Sequence, residues 1–435
     1  MSGGLLLGRF CGTEGWIRDK EGDEAALVPT VDFCGTTSHY LSPEMALPAL
    51  DRLREAAADT SYVSGLTHNF YRHPARFSPA LASAAIECFS RPGSLVLDPF
   101  MGGGTTLVEA LAKGRRVVGA DINPLSVFVA RAKTTALRPS DPAEIERWSG
   151  RVYDAISYLF PREWIRAHLP DEGTRNLHLP QSRAIKKGVA IALRSIGRLS
   201  NARIRLFARC VILKTAQWAL DGRSQPTSLG DFREKLLANT GDMLAAIQEF
   251  GRLRRKHRLG PVPRTLLTID ARRIHTAPIF AESRRRAQLV LTSPPYPGIH
   301  AVYNRWQVDG RRETPAPYWI TGCPDGNGLS YYTFGDRREP RFRTYFEIAA
   351  EVFQNLRRVV RKGGYLVQVV AFSNPDVDLD RYLAALSGAS FEEVKPNGST
   401  RVTRIWRDVP NRRWHAVLQG ATASSREVVL IHRAV

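Results

Sequence analysis

The chain has 435 residues, 43% of them hydrophobic and 24% charged, the make-up of a folded protein with room for a sizeable core. Its formal net charge is +20, and its five cysteines (Cys11, Cys34, Cys88, Cys210, Cys323) are odd in number and lack Cys-x-x-Cys spacing. That argues against a disulfide framework or a zinc site and for a reducing cytoplasm; no apolar run of about 18 residues marks a membrane span, and Leu5–Leu7 lacks the basic flank of a secretory signal.

Residues 1–66 read as a lead-in without an assigned role, apart from a helix over Pro43–Ala58. Pro79–Phe89 has helical apolar spacing. Ser94–Asp98 then reads as a buried strand, Thr105–Lys113 as a helix, Arg116–Asp121 as a second strand and Pro124–Lys133 as a second helix. This alternation predicts an α/β fold with a parallel, doubly wound sheet. Residues 140–261 are helical in periodicity, with Trp148, Tyr153, Ile156 and Leu159 on one face of the first helix, and read as an α-helical insertion. Strands resume at Arg264–Asp270 and Ala287–Thr292. A loop rich in Gly, Pro and aromatics spans Pro294 to about Arg341. A helix over Tyr345–Arg361 is expected to end at a Lys362-Gly363-Gly364 cap, and strands at Tyr365–Phe372, Thr400–Arg407 and Glu427–Arg433 close the chain.

Two segments carry chemistry. Asp98-Pro99-Phe100-Met101-Gly102-Gly103-Gly104-Thr105-Thr106 stands where a strand hands over to a helix. Glycines there let the backbone approach a ligand, and helix N-terminal amides favour an anionic group. Asp121 ends the next strand, where an acid commonly holds ribose hydroxyls. Neither a phosphate loop ending in Gly-Lys-Ser/Thr nor GxGxxG is present. The second segment, Thr292-Ser293-Pro294-Pro295-Tyr296, follows a strand. Its prolines fix an extended backbone. A rigid carbonyl and the Ser293 hydroxyl can accept hydrogen bonds from an exocyclic amino group, and Tyr296 can stack on its ring. Such acceptors aim the nitrogen lone pair at a methyl donor, so catalysis would be orientation and electrostatics.

Together these segments resemble the amino-methyltransferases of nucleic acids, whose cofactor motif is usually Asp-Pro-Phe-x-Gly-x-Gly and whose catalytic motif is Asp, Asn or Ser followed by Pro-Pro-Tyr. The resemblance implies a Rossmann-like methyltransferase sheet over 67–139 and 262–435. It implies S-adenosyl-L-methionine as cofactor, held by Phe100, Gly102, Gly104 and Thr105 after Asp98, with Asp121, Ile122 and Asn123 at the ribose. His73-Pro74-Ala75-Arg76-Phe77-Ser78-Pro79 resembles the family's short His-Pro segment, so Arg76, Phe77 and Ser78 are expected at the methionine carboxylate, and Asp270 near the adenine ring. Ser293, Pro294, Pro295 and Tyr296 would hold the target base. Ser at the first position is mostly seen in cytosine N4 enzymes and Asp in adenine N6 enzymes, so cytosine N4 in DNA leads and adenine N6 is the alternative. Cytosine C5 chemistry needs a nucleophilic cysteine after proline, and only Cys323-Pro324 occurs here.

The partner implied is double-stranded DNA with base flipping, in a setting that admits a cognate restriction or defence component. Between Gln181 and Gly260 stand 17 Lys and Arg against 5 Asp and Glu, which marks the insertion as a possible target-recognition region drawn to phosphates. Arg254, Arg255, Lys256 and Arg258, with Tyr303, Arg305, Trp306, Arg311 and Arg312 of the aromatic loop, are the expected nucleic-acid contacts. An ordered lid that packs its aromatics inward is the plainer reading of that loop. Other readings are a transfer-RNA guanine N2 methyltransferase, which usually carries Asp or Asn before the prolines, and a nucleic-acid-binding protein without catalysis. No metal is called for.

Overall fold

The computed structural model describes residues 47–435 apart from 60, 74–77, 158–172, 179, 224–226, 260–262, 284, 298–304, 311, 327–331, 337, 373, 397–401 and 409–425. Arg76, Phe77, Tyr303 and Arg311 of the expected site residues, Leu159 of the expected helix face, and the start of the helix expected from Pro43, lie outside the described residues.

Helix α1 (Leu47–Ala58) precedes α2 (Pro79–Phe89), whose Ser78 Oγ accepts from Ala80 N at 3.1 Å and whose first position is proline, a favourable helix start. Strand β1 (Leu95–Asp98), α3 (Thr105–Ala112), β2 (Arg116–Asp121) and α4 (Pro124–Thr134) follow. The insertion forms α5 (Asp141–Ala155), α6 (Pro180–Ser195), α7 (Ala202–Leu220) and α8 (Leu229–Lys256). Then come β3 (Arg264–Thr268), α9 (Pro278–Ala281), β4 (Ala287–Thr292), a small hairpin of β5 (Trp306–Val308) and β6 (Arg312–Thr314), α10 (Ala316–Thr321) and α11 (Arg343–Val359). Strand β7 (Val360–Val370), α12 (Pro375–Gly388), β8 (Phe391–Glu393), β9 (Arg404–Asp408) and β10 (Arg426–Ala434) complete the chain.

The main sheet runs β3-β2-β1-β4-β7-β10-β8, with β9 also paired to β10. Strands β3, β2, β1, β4 and β7 are parallel, and β10 is antiparallel to its neighbours. Strands β1 and β4 are buried along their whole length because helices cover both faces. Alternate residues feed two cores: Val96, Leu289 and Leu291 point into one, Leu97, Ala287 and Val290 into the other. The fold is thus the doubly wound Rossmann-like sheet expected. Strand order reverses between β1 and β4, and at such a switch point a crevice opens beyond the carboxyl ends of the strands.

Several elements depart from the sequence expectation. The helix expected to end at a glycine cap stops at Val359 and Val360 already starts β7. Register against β4 jumps between Ala287↔Val360 and Leu289↔Tyr365, so Gly363, at φ +74°, serves a bulge within the strand. The loop after Pro294 contains the β5–β6 hairpin, with positive φ at Asp309 and Gly310, and α10. Helix α12 and strand β8 had no counterpart in the expectation. On α5, Ile145, Trp148, Val152 and Ile156 are buried, whereas Tyr153 is half-exposed, its hydroxyl donating to Glu234 at 2.6 Å.

The insertion shares the core of one sheet face: Phe232, Ile247 and Phe250 belong to the same cluster as Leu107 and Val108 of α3. Phe250 is fully buried, so Phe250→Ala is expected to destabilise by about 3–5 kcal/mol. Thermal unfolding of the full chain should show the lowered midpoint; an unchanged midpoint would detach α8 from that core.

Candidate active site

The glycine segment leaves β1 and wraps the end of β2. Asp98 accepts from Phe100 N at 3.1 Å, and Met101 N donates to Ala120 O at 3.0 Å. Gly102 and Gly104 have φ of +42° and +76°, the left-handed region where a side chain is strained. A Cβ on Gly104 would lie 3.3 Å from Ala130 Cβ, and one on Gly103 3.0 Å from His73 Cβ. The loop is therefore pressed between α4 and His73. One turn beyond Ala130, the buried Lys133 donates from Nζ to Gly103 O at 2.6 Å.

Asp121 fastens the loop from the other side. Its Oδ2 accepts from Gly102 N at 2.9 Å and its Oδ1 from Asn123 N at 2.8 Å. Each carboxylate oxygen keeps further acceptor capacity for hydroxyls. Asn123 caps α4 through Leu125 N at 3.0 Å, and its buried Nδ2 has no hydrogen-bond partner among the described residues. An unpaired buried donor, an acid with acceptor capacity left and a glycine turn beside a buried ammonium suit a ligand with ribose hydroxyls and a carboxylate. They fit the methionine and nucleoside parts of S-adenosylmethionine, and Ile122 is half-exposed beside them. Ser78 spends its hydroxyl on capping α2. Asp270 caps the 3-10 turn Ala271–Thr276, and both its oxygens bind Arg272, at 2.6 Å for Nη2 to Oδ2. Burial works to raise its carboxyl, but the Arg272 hydrogen bonds outweigh that and hold it below the usual range.

The second motif meets the first directly. Thr292 Oγ1 donates to Asp98 Oδ1 at 2.6 Å, across 194 residues of sequence, and Thr106 Oγ1 donates to Leu291 O at 3.2 Å. Adjacent parallel strands thus end side by side with the two motifs on the same rim. Ser293 Oγ lies 3.1 Å from the Tyr296 hydroxyl. Tyr345 of α11 donates to Pro295 O at 2.8 Å, which ties the motif to that helix. Phe100 packs edge-to-face on Phe334, which is tilted against Tyr345, with centroids 5.5 Å apart at each step, and this run of rings connects the glycine loop to the helix that holds the Pro-Pro-Tyr segment.

The expected nucleic-acid contacts are not brought together. Trp306 is 1% exposed and donates from Nε1 to Tyr71 at 3.2 Å, so it packs inward as part of the core and offers no stacking face. Arg305 is tied to Asp325 at 2.8 Å and Glu313 at 3.8 Å; Arg312 is exposed beside Asp309 at 3.3 Å. The run Arg254, Arg255, Lys256 and Arg258 lies towards the opposite, amino-terminal end of the parallel strands. There His257 Nε2 meets Ala112 O at 3.1 Å, at the far end of α3. Much of the insertion's positive charge is internal as well: Arg203 pairs with Asp141, Arg209 donates to Ile320 O, and the guanidinium of Arg233 covers the Tyr153 ring. Sequence reasoning passed over Lys133, Tyr345, and the buried pair Arg407–Glu427 that reaches Tyr296. Only Lys133 left a signal, a lysine on the apolar face of α4.

Residues 52–130 match the DNA methylase family that joins N6 and N4 enzymes. Over these residues the chain is similar to the DNA amino-methyltransferases. The Type II methyltransferase M.MvaI of Kocuria varians is 47% identical over 78 residues, covering 17% of this chain and 17% of that one. The Type II methyltransferase M.MjaII of Methanocaldococcus jannaschii is 33% identical over 66 residues, 15% of this chain and 12% of the relative. The DNA adenine methyltransferase YhdJ of Escherichia coli is 40% identical over 65 residues, 15% and 22%. The chain thus spans less than a quarter of the length of the curated relatives it matches. Among solved structures, TrmN from Thermus thermophilus is similar at 12% identity and a TM-score of 0.31, over 82% of this chain and 49% of that one. The amino-methyltransferase family implies S-adenosyl-L-methionine as cofactor. Among the described residues no cluster of three potential metal ligands occurs, and no helix is long and apolar enough to cross a membrane.

Burial pushes the carboxyls of both Asp98 and Asp121 up to about 6. A raised acid binds its proton more tightly folded than unfolded, so ionising it removes stability as pH rises from about 4, its unfolded value, to about 6. Thr292→Val strips Asp98 of a hydrogen bond. It is expected to cost about 1–3 kcal/mol at neutral pH and less in acid, which denaturant unfolding at two pH values checks. For the cofactor the sign is opposite: protonating Asp121 turns an acceptor into a donor. Calorimetric affinity for S-adenosylhomocysteine should therefore fall below pH about 6 and lose most of that dependence in Asp121→Asn.

Proposed function

We propose that the protein is a DNA methyltransferase that transfers a methyl group from S-adenosyl-L-methionine to an exocyclic amine of a flipped base, cytosine N4 first. The observation that carries this is the Thr292–Asp98 hydrogen bond, which fixes Ser293-Pro294-Pro295-Tyr296 beside the glycine loop. When bound, S-adenosylmethionine supplies an electrophilic methyl group on a sulfonium. Asp121 and Asn123 hold its nucleoside part, and the glycine loop beside Lys133 receives its methionine end. The Ser293 hydroxyl and the Pro294 carbonyl accept the two N–H bonds of the target amine. This holds the nitrogen towards tetrahedral geometry with its lone pair aimed across the cleft. The Tyr296 ring is the stacking face for the extruded base.

Adenine N6 is the second reading, favoured by the likeness to a DNA adenine methyltransferase over 65 residues. Likeness to two type II methyltransferases supports a restriction–modification setting. We assign target recognition to the insertion over 140–261, through its exposed arginines and not through those engaged internally.

The test is transfer of label from S-adenosylmethionine to unmethylated double-stranded DNA and, separately, to bulk RNA, with the modified nucleoside identified by mass spectrometry. N4-methylcytosine in DNA is expected, with Ser293→Ala lowering turnover by about 10²-fold. N6-methyladenine would overturn the base assignment and keep the mechanism, whereas label confined to RNA would overturn DNA as substrate.

A further inference from the structure

Tyr296 is anchored from below. Its hydroxyl donates to Glu427 Oε1 at 2.7 Å, and Glu427 Oε2 accepts from Arg407 Nε at 2.8 Å and Nη2 at 2.6 Å. Glu427 and Arg407 are cross-strand partners in the β9–β10 register, and their side chains are 1% and 7% exposed. A buried ion pair of this kind is a weak stabiliser, because desolvation offsets most of the attraction. What it does provide is a direction.

Resting on the methyltransferase reading, we propose that Glu427 is a positioning residue that sets the polarity of the hydrogen bonds reaching Ser293. A carboxylate only accepts, so Tyr296 must donate its hydroxyl proton to Glu427. The Tyr296 oxygen is then left as an acceptor, and Ser293 donates to it across 3.1 Å. With its proton committed, Ser293 Oγ turns only lone pairs to the cleft. Those are what an amine N–H needs. Arg407 keeps the arrangement from inverting, since its two donors occupy Oε2 and hold the other oxygen towards Tyr296.

Glu427→Gln tests this at almost constant shape. Arg407 would claim the amide oxygen and turn the NH2 group to Tyr296, so Tyr296 would donate to Ser293 and push the serine proton into the base site. Turnover is expected to fall by about 10²-fold, with KM for DNA and affinity for S-adenosylhomocysteine unchanged. Adding Arg407→Met frees the amide to rotate and should restore part of the turnover, which a purely structural role would not. A raised KM with turnover intact, or a double variant no better than Glu427→Gln, overturns the proposal. An activity-independent reading uses full-length protein labelled at tyrosine Cζ, the Tyr296 resonance being assigned by its loss in Tyr296→Phe. Glu427→Gln should shift that resonance, and a resonance left in place overturns the relay. If the wild-type chain methylates no nucleic acid, the proposed function fails while this resonance still decides the role of Glu427.

Discussion

The arrangement depends on a hydrogen bond of 2.6 Å between Thr292 and Asp98. Its two residues end neighbouring strands at the point where strand order reverses, so it joins the glycine loop to the Ser-Pro-Pro-Tyr segment. Asp98 is buried, and an ionised carboxylate there is tolerable only while hydrogen bonds reach it. Phe100 N and Thr292 supply them. The same acid thereby sets the start of the glycine turn and the place where Ser293 leaves β4. Displacement of either strand end would leave a buried acceptor unsatisfied, and that penalty makes the relative position of the two motifs stiff.

Stiffness at the strand ends is extended by packing behind them. Tyr345 of α11 holds the Pro295 carbonyl and joins, through Phe334, the ring of Phe100. Lys133 and Asp121 grip the glycine loop from opposite sides. Orientation is where an amino-methyltransfer gains most of its rate, and every one of these contacts constrains orientation.

The parallel core was legible because its signals are local. Pro79–Phe89, Arg116–Asp121 and Ala287–Thr292 coincide with the observed elements, since a helix start, a fully buried strand and a glycine turn each leave a mark in a few adjacent residues. Helix α12 buries Leu379, Tyr382 and Leu386 on one stripe, a helical spacing that the apolar strand before it overshadowed, and β8 is only three residues long. The Asp309-Gly310 pair, a recognisable hairpin signal, was absorbed into a loop. Of the site, the motif residues could be named from the chain, but Glu427 and Arg407 could not. Their meaning comes from a cross-strand register and a contact 131 residues away, neither of which has a one-dimensional pattern. The basic run at Arg254–Arg258 shows the converse: its charge is plain in the sequence, its location towards the amino-terminal end of the strands is not.

Charge is distributed on two scales that serve different steps. Over the whole chain the excess is +20, a long-range pull on any polyanion. At the cleft floor the sign reverses: burial raises Asp98 and Asp121 to about 6, and repulsion from Asp121 contributes to the rise at Asp98. A cation brought to that floor would relieve this repulsion and draw both values down. A sulfonium-bearing cofactor therefore finds a local site of matching sign inside a protein of opposite overall charge, and its binding should make the two acids more fully ionised.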